Sequence, residues 1–228
     1  MLRHRWIIVS LLTALAGCAP GNPGGAVLNV VAPDDQCIVA VGNTSFPSGS
    51  YDPSAPEPYV ASVRVANQLL NLSATGAGGP PMADPNPMRV TEAEIEIRDI
   101  SGNPIGGFGN PFRVPVSGDV IPSSDGMTAG EGIVTFEMIP RGVAAMLAPF
   151  AGSTVVVSTV LFGRTLGDAA IEFPEFLFNI DLCAAGGCLQ RCVMDTEGAA
   201  LCQNACRPGQ DTMHLSCEAS YGECIATM

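Results

Sequence analysis

Seven cysteines crowd the chain from residue 183 to its end: Cys183, Cys188, Cys192, Cys202, Cys206, Cys217 and Cys224. Two more, Cys18 and Cys37, lie far upstream. Clustered thiols serve two chemistries, disulfide bridging and metal ligation. The intervals between the seven are four, three, nine, three, ten and six residues, so no C-x-x-C pair occurs. Zinc ribbons and thioredoxin-type redox sites are built on that pair, so the spacing favours disulfides over a metal site. A segment this short buries too little apolar surface to fold unaided, and bridges of about 2–4 kcal/mol each would hold it.

Other catalytic chemistry is thinly represented. His4 and His214 are the two histidines, and His214 lies inside the cysteine-rich stretch, where it reads as an exposed tail residue. No G-x-S-x-G, H-E-x-x-H, Walker or dinucleotide-binding pattern occurs. Glu92, Glu94 and Glu96 resemble a row of paired acids, yet strand alternation puts all three on one solvent-facing side. The Asp-rich stretches "PDDQ" and "SSDG" lack the regular spacing of a calcium loop. The expectation is a protein without a catalytic constellation, cofactor or metal.

The amino terminus carries a different message. "MLRHRW" is short and basic, and the apolar "IIVSLLTALA" that follows is too short to span a bilayer, which takes about 20 residues. This is the order of a secretory signal. It ends in Leu15-Ala16-Gly17-Cys18, which resembles the lipobox of bacterial lipoproteins. The resemblance implies cleavage before Cys18 and a diacylglyceryl group on its sulfur. Ala19 follows, where Asp retains some lipoproteins in the inner membrane, so the expected location is the outer membrane.

With Cys18 set aside, eight cysteines remain for four bridges and 105 connectivities. Export to an oxidising compartment strengthens the disulfide reading. Cys37 begins an early apolar run and Cys183 ends the last one. If those strands are neighbours, Cys37–Cys183 would clamp the fold where the tail departs, with Cys37–Cys188 as the next choice.

Bulk composition narrows the partners. The chain has 228 residues, 22 acidic and 10 basic, for a net charge of −12, and every basic residue is Arg. A lysine-free acidic protein is poorly suited to nucleic acid and has no amine for Schiff-base or P-loop chemistry. The uncharged run between Arg141 and Arg164 is long enough to cross a membrane, but Pro149, Gly152, Ser153 and Thr154 break it. It reads instead as a short helix over 142–148 and a strand over 154–165.

Between Cys37 and Cys183 the apolar residues recur with period two. "TEAEIEIRDI" alternates Ala93, Ile95 and Ile97 with charges. "CIVAV", "YVASVRVANQLL", "PFRVPV", "GIVTFEMI" and "FPEFLFNIDL" follow the same rule, and Pro115 confines its strand to an edge. About seven such strands predict an all-β, antiparallel, immunoglobulin-like β-sandwich with one short helix. The implied organisation is a leader over 1–17, a tether over 18–35, the sandwich over 36–183 and the cysteine-rich tail over 184–228. The turn-rich stretches over 41–58 and 73–87 read as loops at the ends of the sandwich.

"LAGC", "DQCIVAV", "VVVSTVLFGRTLG", "IEFPEFLFNIDLCAAGGC" and "CRPGQD" together resemble predicted lipoproteins of high-GC Gram-negative bacteria, the myxobacteria especially. The resemblance brings no activity with it. The expected function is therefore a lipid-anchored, non-enzymatic envelope module, structural or recognising another envelope protein or a glycan. The alternative is an envelope glycan hydrolase working through loop carboxylates.

Overall fold

The computed structural model describes residues 24–34, 36–54, 57–69, 86–107, 109–123, 128–184, 192–194, 200–202 and 210–211. The expected leader over 1–17, Cys18 and most of the cysteine-rich stretch lie outside these. Twelve strands are described: β1 Gly25–Val31, β2 Ser45–Phe46, β3 Gly49–Tyr51, β4 Tyr59–Asn67, β5 Met88–Asp99, β6 Phe112–Val120, β7 Gly130–Ile139, β8 Thr154–Thr165, β9 Ala170–Glu172, β10 Phe176–Leu182, β11 Cys192–Met194 and β12 Ala200–Cys202. The single α-helix among the described residues, α1 Arg141–Leu147, runs into a 3-10 turn at Ala148–Phe150.

The chain is all-β, as its alternation implies, but the layers differ from expectation. Ten strands form one sheet in the order β2-β1-β4-β7-β6-β5-β8-β10-β3, with β9 added on β8. The sheet curls until its two ends nearly meet, because β2 and β3 lie at opposite ends of that order and only Pro47 and Ser48 separate them in the chain. The result is a nearly closed, barrel-like sheet of ten strands, more than the seven expected, in which the two layers of an immunoglobulin-like sandwich are not distinct. Three short strands, β2, β3 and β9, carry no signal in the sequence because two or three residues have no periodicity. The stretch over 41–58, expected to be loop, contains two of them.

Alternation sorts inside from outside as predicted. Ala93, Ile95 and Ile97 of β5, Val134, Phe136 and Met138 of β7, and Phe178, Ile180 and Leu182 of β10 all enter one core. Val155, Val157 and Leu161 of β8 meet them from the neighbouring strand. Each such side chain contributes about 1.5–3 kcal/mol by leaving water. The expected strand at 154–165 is β8, and the expected helix at 142–148 is α1, shifted by one residue. Among the described residues no helix is long and apolar enough to cross a membrane.

Three local expectations give way. "CIVAV" is not a strand: Asp34 Oδ1 accepts the backbone N–H groups of Gln36 and Ile38, at 2.9 Å each, and Cys37 takes a left-handed φ of 63°. The Asx-type turn wins over alternation because its hydrogen bonds are local. Next, "VLNVV", which the sequence leaves open between an initial strand and a spacer, belongs to β1, paired with β4 from Gly25 to Val30, so the barrel begins at Gly25 and not at residue 36. Last, Pro115 does not put β6 at an edge. It sits opposite Glu92, beside a bulge between Val90 and Glu92, and β6 meets β7 at the single registered pair Ser117–Thr135. The missing N–H is accommodated where the ladder is already interrupted.

The barrel has two ends. Gly25, Asn67, Met88, Val120, Gly130 and Thr165 mark one; Val31, Tyr59, Asp99, Ile139, Thr154 and Leu182 mark the other. Strand packing is tight enough to demand glycine at Gly163, where a Cβ would lie 2.3 Å from the Arg89 carbonyl oxygen. Gly163→Ala is expected to cost about 1–3 kcal/mol in urea unfolding. Gly142→Ala, with nothing within 4 Å in α1, is expected to be neutral or to stabilise by about 0.5 kcal/mol.

Candidate functional site

The polar groups that converge most closely lie at the Tyr59 end of the barrel, where β4 runs on past the end of β1. There the interior carries two fully buried tyrosines, Tyr51 of β3 and Tyr59 of β4, with ring centroids 5.7 Å apart and edge-on. A phenol this deep needs a partner for its hydroxyl. Tyr51 Oη donates to the Glu57 carbonyl at 2.8 Å, and Tyr59 Oη donates to Asp211 Oδ1 at 2.8 Å.

Gln210 and Asp211 come from the cysteine-rich tail, yet they are built into the barrel. Gln210 pairs with Tyr51 as a backbone bridge on one side. On the other, its side-chain amide grips Val60: the Val60 N–H donates to Oε1 at 2.7 Å, and Nε2 donates to the Val60 carbonyl at 2.9 Å. Asp211 exchanges bonds with Ser50, accepting its N–H on Oδ1 at 3.0 Å and donating its own N–H to the Ser50 carbonyl at 2.8 Å. The two residues thus bridge β3 to β4 and close the barrel where strand pairing stops. Gly49 is obligatory beneath them, because a Cβ there would meet Tyr59 Oη at 2.4 Å and Asp211 Oδ1 at 3.0 Å.

Burial first, then the neighbouring Asp52 carboxylate, push the Tyr51 phenol up to about 12; Arg141 opposes this and Glu57 adds to it. Asp52 is itself buried and accepts both the N–H and Oγ of Ser54, at 2.8 and 2.6 Å. Among the described residues it is the one fully buried carboxylate.

The acids singled out from sequence are elsewhere. Glu92, Glu94 and Glu96 lie on the outer wall of β5, as alternation requires, but each is ion-paired. Arg113 bonds both Glu92 and Glu94, the latter at 2.8 Å, and lies 4.9 Å over the Phe162 ring. Arg98 bonds Glu96 and reaches Glu175 at 3.2 Å. The Arg98 and Arg113 guanidiniums are held above their ordinary range, chiefly by hydrogen bonds to Glu96 and Glu94 respectively. Asp34 of "PDDQ" caps its own turn, and the Asp of "SSDG" lies outside the described residues.

One cleft opens on the outer wall beside the β6–β7 seam, with a volume of about 400 Å³. It is lined by Val60, Val114, Pro115, Thr135, Phe136 and Glu137, so a single carboxylate faces it.

The framework cysteines are partly in view. Cys37 and Cys183 are each disulfide-bonded and sit at the Tyr59 end of the barrel. The premise for joining them to each other, two cysteines on adjacent strands, is not met. Cys37 lies in the turn after β1, whose neighbours are β2 and β4. Cys192 and Cys202 occupy opposed backbone positions on the β11–β12 pair. Cys18, Cys188, Cys206, Cys217, Cys224 and His214 lie outside the described residues.

Gln210 and Asp211 carried no signal that period or spacing could isolate, although in the sequence they follow a Pro-Gly pair of the type that favours turns. No family model, curated protein or solved structure matches the chain.

Two outcomes test this closure. Asp211→Ala leaves Tyr59 Oη and the Ser50 N–H without their acceptor and is expected to cost about 1–3 kcal/mol in urea unfolding with disulfides intact. The second concerns pH. Because the folded state holds the Tyr51 proton more tightly than the unfolded chain, stability is full below pH 10 and falls as pH rises towards 12. That decline, on the order of 2 kcal/mol, is expected to flatten in Tyr51→Phe when unfolding is followed across pH 9–12.

Proposed function

We propose that the protein is a lipid-anchored cell-envelope module, held at the outer membrane through Cys18, that is structural or recognises another envelope protein or a glycan and does no catalysis. The observation that carries the reading is the ordered succession of Arg3 and Arg5, the apolar run over 7–16 and Leu15-Ala16-Gly17-Cys18. The eight other cysteines are its disulfide framework.

The arrangement of acids supports this reading over a carboxylate-dependent glycan hydrolase. That reaction class works through two carboxyls facing each other across the scissile bond, about 5–9.5 Å apart. Here the β5 carboxylates are tied to Arg98 and Arg113 on the outer wall, Asp52 is bonded to Ser54, Asp211 is bonded to Tyr59 and Ser50, and the cleft beside β6 is lined by one carboxylate of the described residues, Glu137. A sheet curled round a side-chain core, with end loops and a stapled tail, suits a rigid display platform.

Metabolic labelling with a palmitate analogue tests the anchor. The wild-type chain is expected to take up label and fractionate with membranes, and Cys18→Ser to do neither. An unlabelled wild type sinks the proposal and the location with it.

A further inference from the structure

The chain's entry into the barrel lies at one rim, next to two exposed apolar side chains. The Gly24 carbonyl accepts the Gln68 N–H at 2.8 Å, and Gly25 pairs with Asn67. Asn67 Nδ2 donates to the carbonyls of Asn86 and Val120, at 3.0 and 2.9 Å. Val120 lies opposite Met88, and Met88 opposite Thr165. One residue beyond that row, Ile121 and Leu166 are 66% and 68% exposed, with the Leu166 N–H bonded to the Pro87 carbonyl at 2.8 Å.

Exposure does not choose this end by itself, since Ile100 at the far end is 79% exposed. The length of the leash chooses it. Five residues, 19–23, separate Cys18 from Gly24. Fully extended, those six steps reach at most about 20 Å. The longest strands, β5 and β8, have 12 residues each. At ~3.3 Å per residue and a tilt of ~40°, they make the barrel roughly 25–30 Å tall. A lipid on Cys18 therefore cannot let the far end face the bilayer.

We propose that the Gly24 rim of the barrel seats on the phospholipid surface, with Ile121 and Leu166 as its apolar contacts, so that the cysteine-bearing end is displayed away from the membrane. This rests on lipid attachment at Cys18. Arg89 and Arg164, opposite each other in register just behind the rim, come level with the headgroup phosphates. Their side chains are well exposed, though each is already paired, with Asp119 at 2.9 Å and Asp168 at 2.8 Å. Those pairs balance both arginines among the described residues, so Asp119 and Asp168 do not add to the repulsion that a chain of net charge −12 meets at an anionic bilayer. Seating on the β5–β6 side of the flank would instead press the Glu92, Glu94 and Arg113 stripe against lipid.

The chain supplies a clean background for the test, because its one tryptophan, Trp6, leaves with the leader. The mature acylated full-length protein is reconstituted on phosphatidylethanolamine–phosphatidylglycerol vesicles, with and without brominated acyl chains. Ile121→Trp and Leu166→Trp are each expected to lose about half their emission on the brominated vesicles, as interfacial tryptophans do. Ile100→Trp at the far end and Leu177→Trp on the flank are expected to keep theirs. Anything less than loss at both rim positions, or loss at Ile100→Trp or Leu177→Trp, overturns the seating while the protein still floats with the vesicles. Failure of the wild-type protein to float overturns the Cys18 anchor, and the seating with it.

Discussion

A rolled sheet must satisfy its own edges, and the other features of this barrel follow from how it closes. Backbone N–H and C=O groups left unpaired beside a dry core cost about as much as lost hydrogen bonds. The chain meets the requirement in two ways. It places β2 and β3 at opposite ends of the strand order and joins them through two residues. It then brings Gln210 and Asp211 back from beyond the last long strand to bridge β3 and β4. The tyrosine pair beneath that bridge is buried because the bridge is there, and Tyr59 finds its hydrogen bond on it.

The same device recurs where β5 ends. Asn110 accepts the Ile97 N–H at 2.9 Å and donates to the Ile97 carbonyl at 2.6 Å, as Gln210 does for Val60. A primary amide carries one donor and one acceptor in the geometry of a peptide group, so it can continue a ladder for one residue. Both amides stand where a strand outruns its neighbour. The outer wall, by contrast, is held by ion pairs such as Arg113 with Glu92 and Glu94, which contribute little to stability in water but leave the β5 carboxylates matched.

Polarity of the chain follows from antiparallel pairing. β1 begins at one rim, and β10 ends at the other with Cys183 just past it. The first described residues and Cys183, beyond which the cysteine-rich stretch continues, thereby lie at opposite ends of the barrel. Two residues of the cysteine-rich stretch, Gln210 and Asp211, are part of the barrel.

Much of this architecture is legible in the residue pattern. Period-two alternation locates β5, β7 and β10 and their inward residues, since each strand has one dry face and seven or more residues over which to repeat, and Val/Thr-rich composition locates β8. The break at Pro149 and Gly152 separates α1 from β8. The turn at Cys37, the strands β2 and β3, and the sheet's curl are not legible: a local carboxylate turn overrides alternation, and two-residue strands have no period. The strand content and the choice of inward-facing side chains are set by residues close together in the chain, so they can be read from its order alone. Closure of the sheet, the pairing of β1 with β4, and the completion of the wall by Gln210 and Asp211 arise only when the chain folds. The Gln210 and Asp211 contacts join residues some 150 positions apart, and hydrogen bonds over that distance leave no mark on local composition.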